Sequence, residues 1–176
     1  MKKLMDRLGF TEAQVKEILL ERNRVKPKIL PRYISDKKIK FGIVSDTHLG
    51  SRKEMLNELH TFYAICKKSG VNTIFHCGDI LDGNGRMYRG QLSEIHTYGA
   101  MAQAKYVVKN YPKVEGIKTY FINGNHDLSF YNENGIDIGE IIASKRQDMI
   151  YLGHYTGDVT LDKVIVRMIH PDGGGA

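Results

Sequence analysis

Asp46-Thr47-His48, Asp79, Asn125-His126-Asp127 and His170 are the residues of this chain whose types and spacing can do chemistry. Asp46 and His48 alternate across a single extended residue, so both can turn toward one ion from one loop. A carboxylate such as that of Asp79 can bridge two ions. The set mixes carboxylates, imidazoles and one amide oxygen, which suits Mn²⁺, Fe or Zn²⁺. It is too rich in nitrogen for a Ca²⁺ cage and too poor in thiolate for structural zinc. Two such ions, about 3.5–4 Å apart, would clamp a phosphate and generate hydroxide at neutral pH.

Each group stands at the tip of a segment that reads as a buried strand. Ile39–Val44 is a short apolar run ending in Ser45-Asp46, and Asn72–His76 leads into Cys77-Gly78-Asp79. Ile117–Ile122 delivers Asn123-Gly124-Asn125-His126-Asp127, and Lys163–Ile169 delivers His170. Met149–Leu152 and Asp158–Leu161 read as further strands. Helices are expected over Glu54–Ser69, closed by Gly70, and over 92–110 and 137–147. Strands alternating with helices predict an α/β fold on a largely parallel sheet. Functional residues in such folds gather beyond the carboxyl ends of the strands.

A chain of 176 residues has room for one domain with a real core and a short appendage. Its 41% apolar and 26% charged content is that of a soluble globular protein. No run approaches the roughly 18 apolar residues that span a bilayer. The lysines at the start have no apolar run behind them, which does not fit a signal peptide. Cys66 and Cys77 lack CxxC spacing and suit a reducing interior, so the expected compartment is the cytoplasm.

The net charge of +6 is unevenly placed. Residues 1–40 hold 12 Lys/Arg against 5 Asp/Glu, and the remainder holds 14 against 15. Residues 1–38 therefore read as a basic arm and linker ahead of a domain at 39–176. A short helix is expected around Lys3–Leu8 and a second over 12–23, capped by Thr11 with Gln14 three residues on. Pro27 and Pro31 mark an extended linker over 24–38. The arm suits either a solvated helical face or contact with nucleic acid or another polyanion.

Asp46-Thr47-His48, Gly78-Asp79, Gly124-Asn125-His126-Asp127 and the later His170 resemble, in order and spacing, the D-x-H, G-D, G-N-H-[DE] and H motifs of the calcineurin-like metallophosphoesterases. The resemblance covers residues 39–176. It implies a sandwich of two β-sheets flanked by helices, here with its C-terminal part missing and a short α-helical N-terminal arm. It places Asp46 and His48 on a first metal, Asp79 between two, and Asn125 and His170 on the second, with Mn²⁺ foremost and Fe or Zn²⁺ as alternatives. His126 falls to the family's histidine that faces the leaving group. Asp82 matches the acidic position that pairs with that histidine, and Asp127 is its rival. Metal-bound hydroxide would then attack phosphorus in line with the leaving oxygen, which His126 would protonate.

The sequence departs from the family after His170. The family closes its site with a G-H-x-H motif on a later strand. Gly153-His154-Tyr155-Thr156 lacks the second histidine and precedes His170, so it does not qualify. The chain is expected to be truncated before that motif, to bind metal weakly and to be impaired in catalysis. His60, His76 and His96 read as packing or surface residues.

Ser45–Gly50 is similar to the D-x-H-L-G form of DNA-repair exonuclease subunits. Gly83–Gly90, with His170–Gly175, looks like metallophosphoesterases of phages and prophages. Arg86 and Arg89, close in sequence to Asp79, can meet phosphate, and Tyr88 can stack on a base. The expected substrate is thus a phosphodiester in DNA or RNA. A phosphomonoesterase on protein or small-molecule phosphates is the alternative. A DNA-binding or assembly module with an incomplete metal site is the third possibility.

Overall fold

The computed structural model describes Thr11, Lys28–Ile29 and residues 39–85, 90–161 and 163–171. The helices expected within residues 1–23, the rest of the linker, and Arg86 and Arg89 lie outside these residues. Among the described residues seven strands and five helices follow one another: β1 Lys28–Ile29, β2 Gly42–Val44, α1 Leu56–Lys68, β3 Thr73–His76, α2 Gln91–Glu94, α3 Ala100–Asn110, β4 Lys118–Asn123, α4 Ser129–Asn134, α5 Ile138–Lys145, β5 Met149–His154, β6 Thr156–Leu161 and β7 Val164–Ile169.

β2, β3, β4 and β5 form a parallel sheet in that order. A smaller sheet runs β1-β6-β7, with β1 parallel and β7 antiparallel to β6. Lys28 and Ile29, expected in an open linker, pair with Val159 and Thr160 and so belong to this sheet. The fold is the expected α/β sandwich. Among the described residues no helix is long and apolar enough to cross a membrane.

Burial follows from the layers. All of β3 is buried because helices cover one face of the larger sheet and the smaller sheet covers the other. On α1, Leu59, Tyr63 and Cys66 recur at helical spacing and face inward. They meet Ala104 and Val107 of α3, Ile138 and Ile142 of α5, and Ile74 and Phe121 of the sheet. Between the sheets, Phe75, Tyr120, Ile122 and Leu152 pack against Val159, Leu161 and Met168.

Helical elements also differ from the sequence expectation. The helix expected over 92–110 is two helices, because Ile95 is buried and makes an antiparallel bridge to Ser51, and Gly99 has φ of 85°. Residues 129–134, which carry no helical periodicity, form α4. Glu54 also stays outside α1, since its carboxylate accepts the Gly50 N–H at 2.8 Å.

Candidate metal centre

The segments 45–49 and 77–82 run side by side beyond β2 and β3, and the parallel ladder continues between them. Cys77 N donates to Val44 O (2.8 Å), Asp46 N to Gly78 O (3.0 Å), His48 N to Asp79 O (3.1 Å) and Leu49 N to Ile80 O (2.8 Å). The loop is not the plain extended segment read from D-x-H spacing. Asp46, His48 and Asp79 have φ of 56°, 44° and 55°, a left-handed conformation that costs a non-glycine residue about 1–2 kcal/mol. Such strain persists only where the surroundings enforce it, and it concentrates at functional sites. Of the four described non-glycine residues in that region, three are the ligands expected from sequence. The fourth, Tyr155, turns the chain from one sheet to the other, and its carbonyl accepts His170 N at 2.7 Å.

The five expected ligands converge into two donor sets that share Asp79. In the first, His48 Nε2 lies 3.9 Å from both Asp46 Oδ1 and Asp79 Oδ2. In the second, His170 Nε2 lies 2.8 Å from Asn125 Oδ1 and 3.3 Å from Asp79 Oδ2. The tautomer of His170 is set by its other nitrogen. Nδ1 is 2.9 Å from the Cys77 carbonyl, which can only accept, so Nδ1 carries the proton. In the neutral ring Nε2 then turns a lone pair toward two acceptor oxygens. Three lone pairs facing one another are held together by a proton or a metal cation among them, and a carbonyl holding Nδ1–H is the usual support of a metal-ligating histidine. The donors therefore fit divalent metal.

Close packing holds the shared carboxylate. Asp79 is buried, and its Oδ1 accepts the His126 N–H at 2.9 Å. Gly124 abuts it, with no room for a side chain. Gly78 (φ 102°) likewise leaves space for the His170 ring, whose Nδ1 would lie 2.6 Å from an added Cβ.

Asp82 and His126 meet differently from expectation. His126 Nδ1 lies 2.7 Å from the main-chain carbonyl of Asp82, not from its carboxylate. The carboxylate turns to His48, with Oδ1 3.2 Å from Nδ1, at ion-pair distance though off the line of a hydrogen bond. The two rings stand edge to face, 4.4 Å apart. Because the Asp82 carbonyl takes Nδ1–H, Nε2 is the His126 nitrogen suited to proton exchange with a substrate. His48, Asp82 and His126 also offer ligand atoms within 4.8 Å of one another, so this corner too has the makings of a cation site. Asp127 does not pair with His126. Its carboxylate accepts Ile80 N (3.3 Å), Leu81 N (3.1 Å) and Gly124 N (2.8 Å), binding the second and third motif loops together.

Charge is concentrated here. Burial works against a proton on His48, but Asp82, with Asp79 and Asp46 behind it, raises its pKa above the ordinary imidazole value. Burial and the Asp79 charge push Asp127 up to about 7, against the pull of its three N–H donors. A cation beside Asp79 would relieve both groups.

A cavity of about 570 Å³ opens onto Asp46, His48, Asp82 and His126, with Val44, Met55, Leu59 and Phe62 as its apolar wall. His154, set aside on sequence grounds, pairs with Asp137 Oδ2 at 2.8 Å and belongs to neither donor set. Several positioning residues carry no motif signal. Gln91 Nε2 donates to the Asp82 carbonyl at 3.0 Å. Gln103 ties down Gly83 through both its amide atoms (3.1 and 2.6 Å), and Glu54 fixes Gly50. Only their contacts across the fold reveal them.

Compared with known proteins, residues 39–167 match the family model described as calcineurin-like phosphoesterase. Among curated proteins nothing matches the chain.

Proposed function

We infer, for a chain that belongs to the calcineurin-like phosphoesterase family and is thereby a hydrolase of phosphoester bonds, that it cleaves phosphodiesters of nucleic acid at a two-metal site. Asp46, His48 and Asp79 would hold one ion, and Asp79, Asn125 and His170 the other, with Mn²⁺ as the proposed metal. The observation that carries this is the His170 ring. Its Nδ1–H is committed to Cys77 O, and its Nε2 faces Asn125 Oδ1 and Asp79 Oδ2. When bound, such ions neutralise phosphate charge and supply a nucleophile from water.

The chain's own groups do the rest. Asp79, held by His126 N–H, keeps both donor sets in register. His126, oriented by the Asp82 carbonyl, would protonate the leaving oxygen from Nε2. Asp82, with Oδ1 3.2 Å from His48 Nδ1, would orient that ring. Support for nucleic acid comes from sequence: Arg86 and Arg89 lie between Gly85 and Gly90, residues 1–40 carry the excess positive charge, and the loop resembles phage and prophage enzymes.

Parallel assays with Mn²⁺ on bis-p-nitrophenyl phosphate, p-nitrophenyl phosphate and single-stranded DNA test this. Hydrolysis of the diester and of DNA over the monoester is expected. Preference for the monoester would overturn the nucleic-acid substrate and favour a phosphatase. Calorimetry should find two Mn²⁺ per chain and one after His170→Ala; unchanged stoichiometry would remove His170 from the site.

A further inference from the structure

Thr47 belongs to neither donor set, yet it stands between two proposed ligands and its side chain is bonded elsewhere. The hydroxyl lies 3.1 Å from the Ile80 carbonyl and 3.0 Å from His76 Nε2. A hydroxyl has one proton to give, and the Ile80 carbonyl can only accept. The imidazole therefore supplies the second bond as an Nε2–H donor. His76 is fully buried, and its Nδ1 has no partner among the described residues. The opposite tautomer would bury an unsatisfied N–H instead of a bare lone pair, which proteins tolerate less. Burial also keeps this ring neutral, with its pKa pushed down to about 3. The hydroxyl is thus a junction joining the end of β3, the 45–49 loop and the 77–82 loop.

We propose that Thr47 and His76 are positioning residues of the metal centre, the His76–Thr47–Ile80 link holding the 45–49 loop in the left-handed shape that aims Asp46 and His48 at their ion. This rests on the reading that Asp46, His48 and Asp79 bind metal. The physical need is clear from the backbone. Residues 46, 48 and 79 sit in a conformation that relaxes unless neighbours enforce it. The ladder bonds tether the main chain at Asp46 N, His48 N and Leu49 N. The Thr47 side chain adds an anchor between the two proposed ligand-bearing positions. Valine has the same branched shape without the hydroxyl, so Thr47→Val removes the anchor while keeping the packing.

The test uses the full chain, with Mn²⁺ affinity read by calorimetry and Co²⁺ visible absorption reporting ligand geometry, at a temperature where near-UV circular dichroism shows each variant folded. Thr47→Val should weaken Mn²⁺ binding about 10-fold or more, the usual size for an outer-shell partner, and alter the Co²⁺ spectrum. Thr47→Ser, which keeps the hydroxyl, should restore both. His76→Phe should weaken binding as Thr47→Val does. Ile142→Val, a core change away from the site, should lower the melting temperature without touching affinity. Thr47→Val binding Mn²⁺ as tightly as the unmodified chain, with an unchanged Co²⁺ spectrum, overturns the proposal and leaves the metal centre standing. An unmodified chain that binds no Mn²⁺ overturns the metal centre itself, and this proposal with it.

Discussion

Replacing Gly124 by alanine tests whether packing fixes the shared carboxylate. A Cβ at Gly124 would overlap Asp79 Oδ1 and stand 2.7 Å from Asp79 N and 2.8 Å from its Cγ. Gly124 is not among the glycines with positive φ, so the backbone itself accepts alanine and the contact alone is probed. The Asp79 main chain is tied into the ladder through its carbonyl to His48 N, so an added Cβ must strain that tie as well as displace the carboxylate. Overpacking of this kind costs about 1–3 kcal/mol. Retreat of Oδ1 also breaks its bond from His126 N (2.9 Å), and a hydrogen bond to a charged acceptor contributes about 1.5–3 kcal/mol. A combined loss near 4 kcal/mol, at about 2–4 °C per kcal/mol for a chain of this size, lowers the melting temperature by about 8–16 °C. Displacement of the carboxylate on the order of 1 Å is enough to cost a positioned site ~100-fold, so Mn²⁺ affinity should fall steeply. Thermal melts by circular dichroism and Mn²⁺ titration read the two effects. Gly70→Ala is the control, with φ of 73° and nothing within 4 Å, and should lose about 1 kcal/mol without affecting metal. Gly124→Ala melting within about 2 °C of the unmodified chain, with Mn²⁺ affinity unchanged, would refute the reasoning.

In metal-free protein, Asp127 keeps its proton to about 7 when folded but only to about 3.8 when unfolded. The stability this proton contributes is full below 3.8 and is lost as pH rises through 7. His48, also raised, acts in the same direction. The unfolding free energy in chelator should therefore fall from pH 5 to 8, by up to about 1.4 kcal/mol per pH unit and proton, and Asp127→Asn should flatten the slope; a rise would contradict the electrostatics. Arg146→Ala should cost about 3–5 kcal/mol, because the buried guanidinium holds both Asp148 oxygens and the carbonyls of Val108, Tyr111 and Pro112. Specific activity per folded molecule should be unchanged, since Arg146 and Asp148 precede β5, at the end of the sheet opposite the site. His154→Ala should leave Mn²⁺ stoichiometry intact; loss of an ion would show that Asp137 is not its true partner.

The position of the candidate ligands beyond strand ends is legible in the sequence because each follows a short apolar run and carries unusual chemistry for a loop. Asp46, Asp79, Asn125 and His170 are therefore found at strand ends. What local pattern cannot convey is which atom of a residue does the work. Asp82 was expected to offer its carboxylate to His126 and offers its main-chain carbonyl, because the carboxylate turns to His48. Ile95 breaks a stretch of helical periodicity because its partner, Ser51, lies 44 positions earlier. His76 reads as packing in a four-residue strand, and the Thr47 hydroxyl that gives it a polar task is 29 positions away. Lys28–Ile29 looked like linker because its partner strand, β6, is remote in the chain.

The left-handed residues proposed as ligands bear on how this chain would drift if metal were withheld. Glycine at position 46, 48 or 79 would release the steric cost that aspartate or histidine bears there, and each exchange would delete one ligand. Survival and capability thus pull in opposite directions at the same three codons. Selection for heat resistance in chelator should enrich glycine or asparagine at these positions, whereas the same selection in Mn²⁺ should retain the native residues.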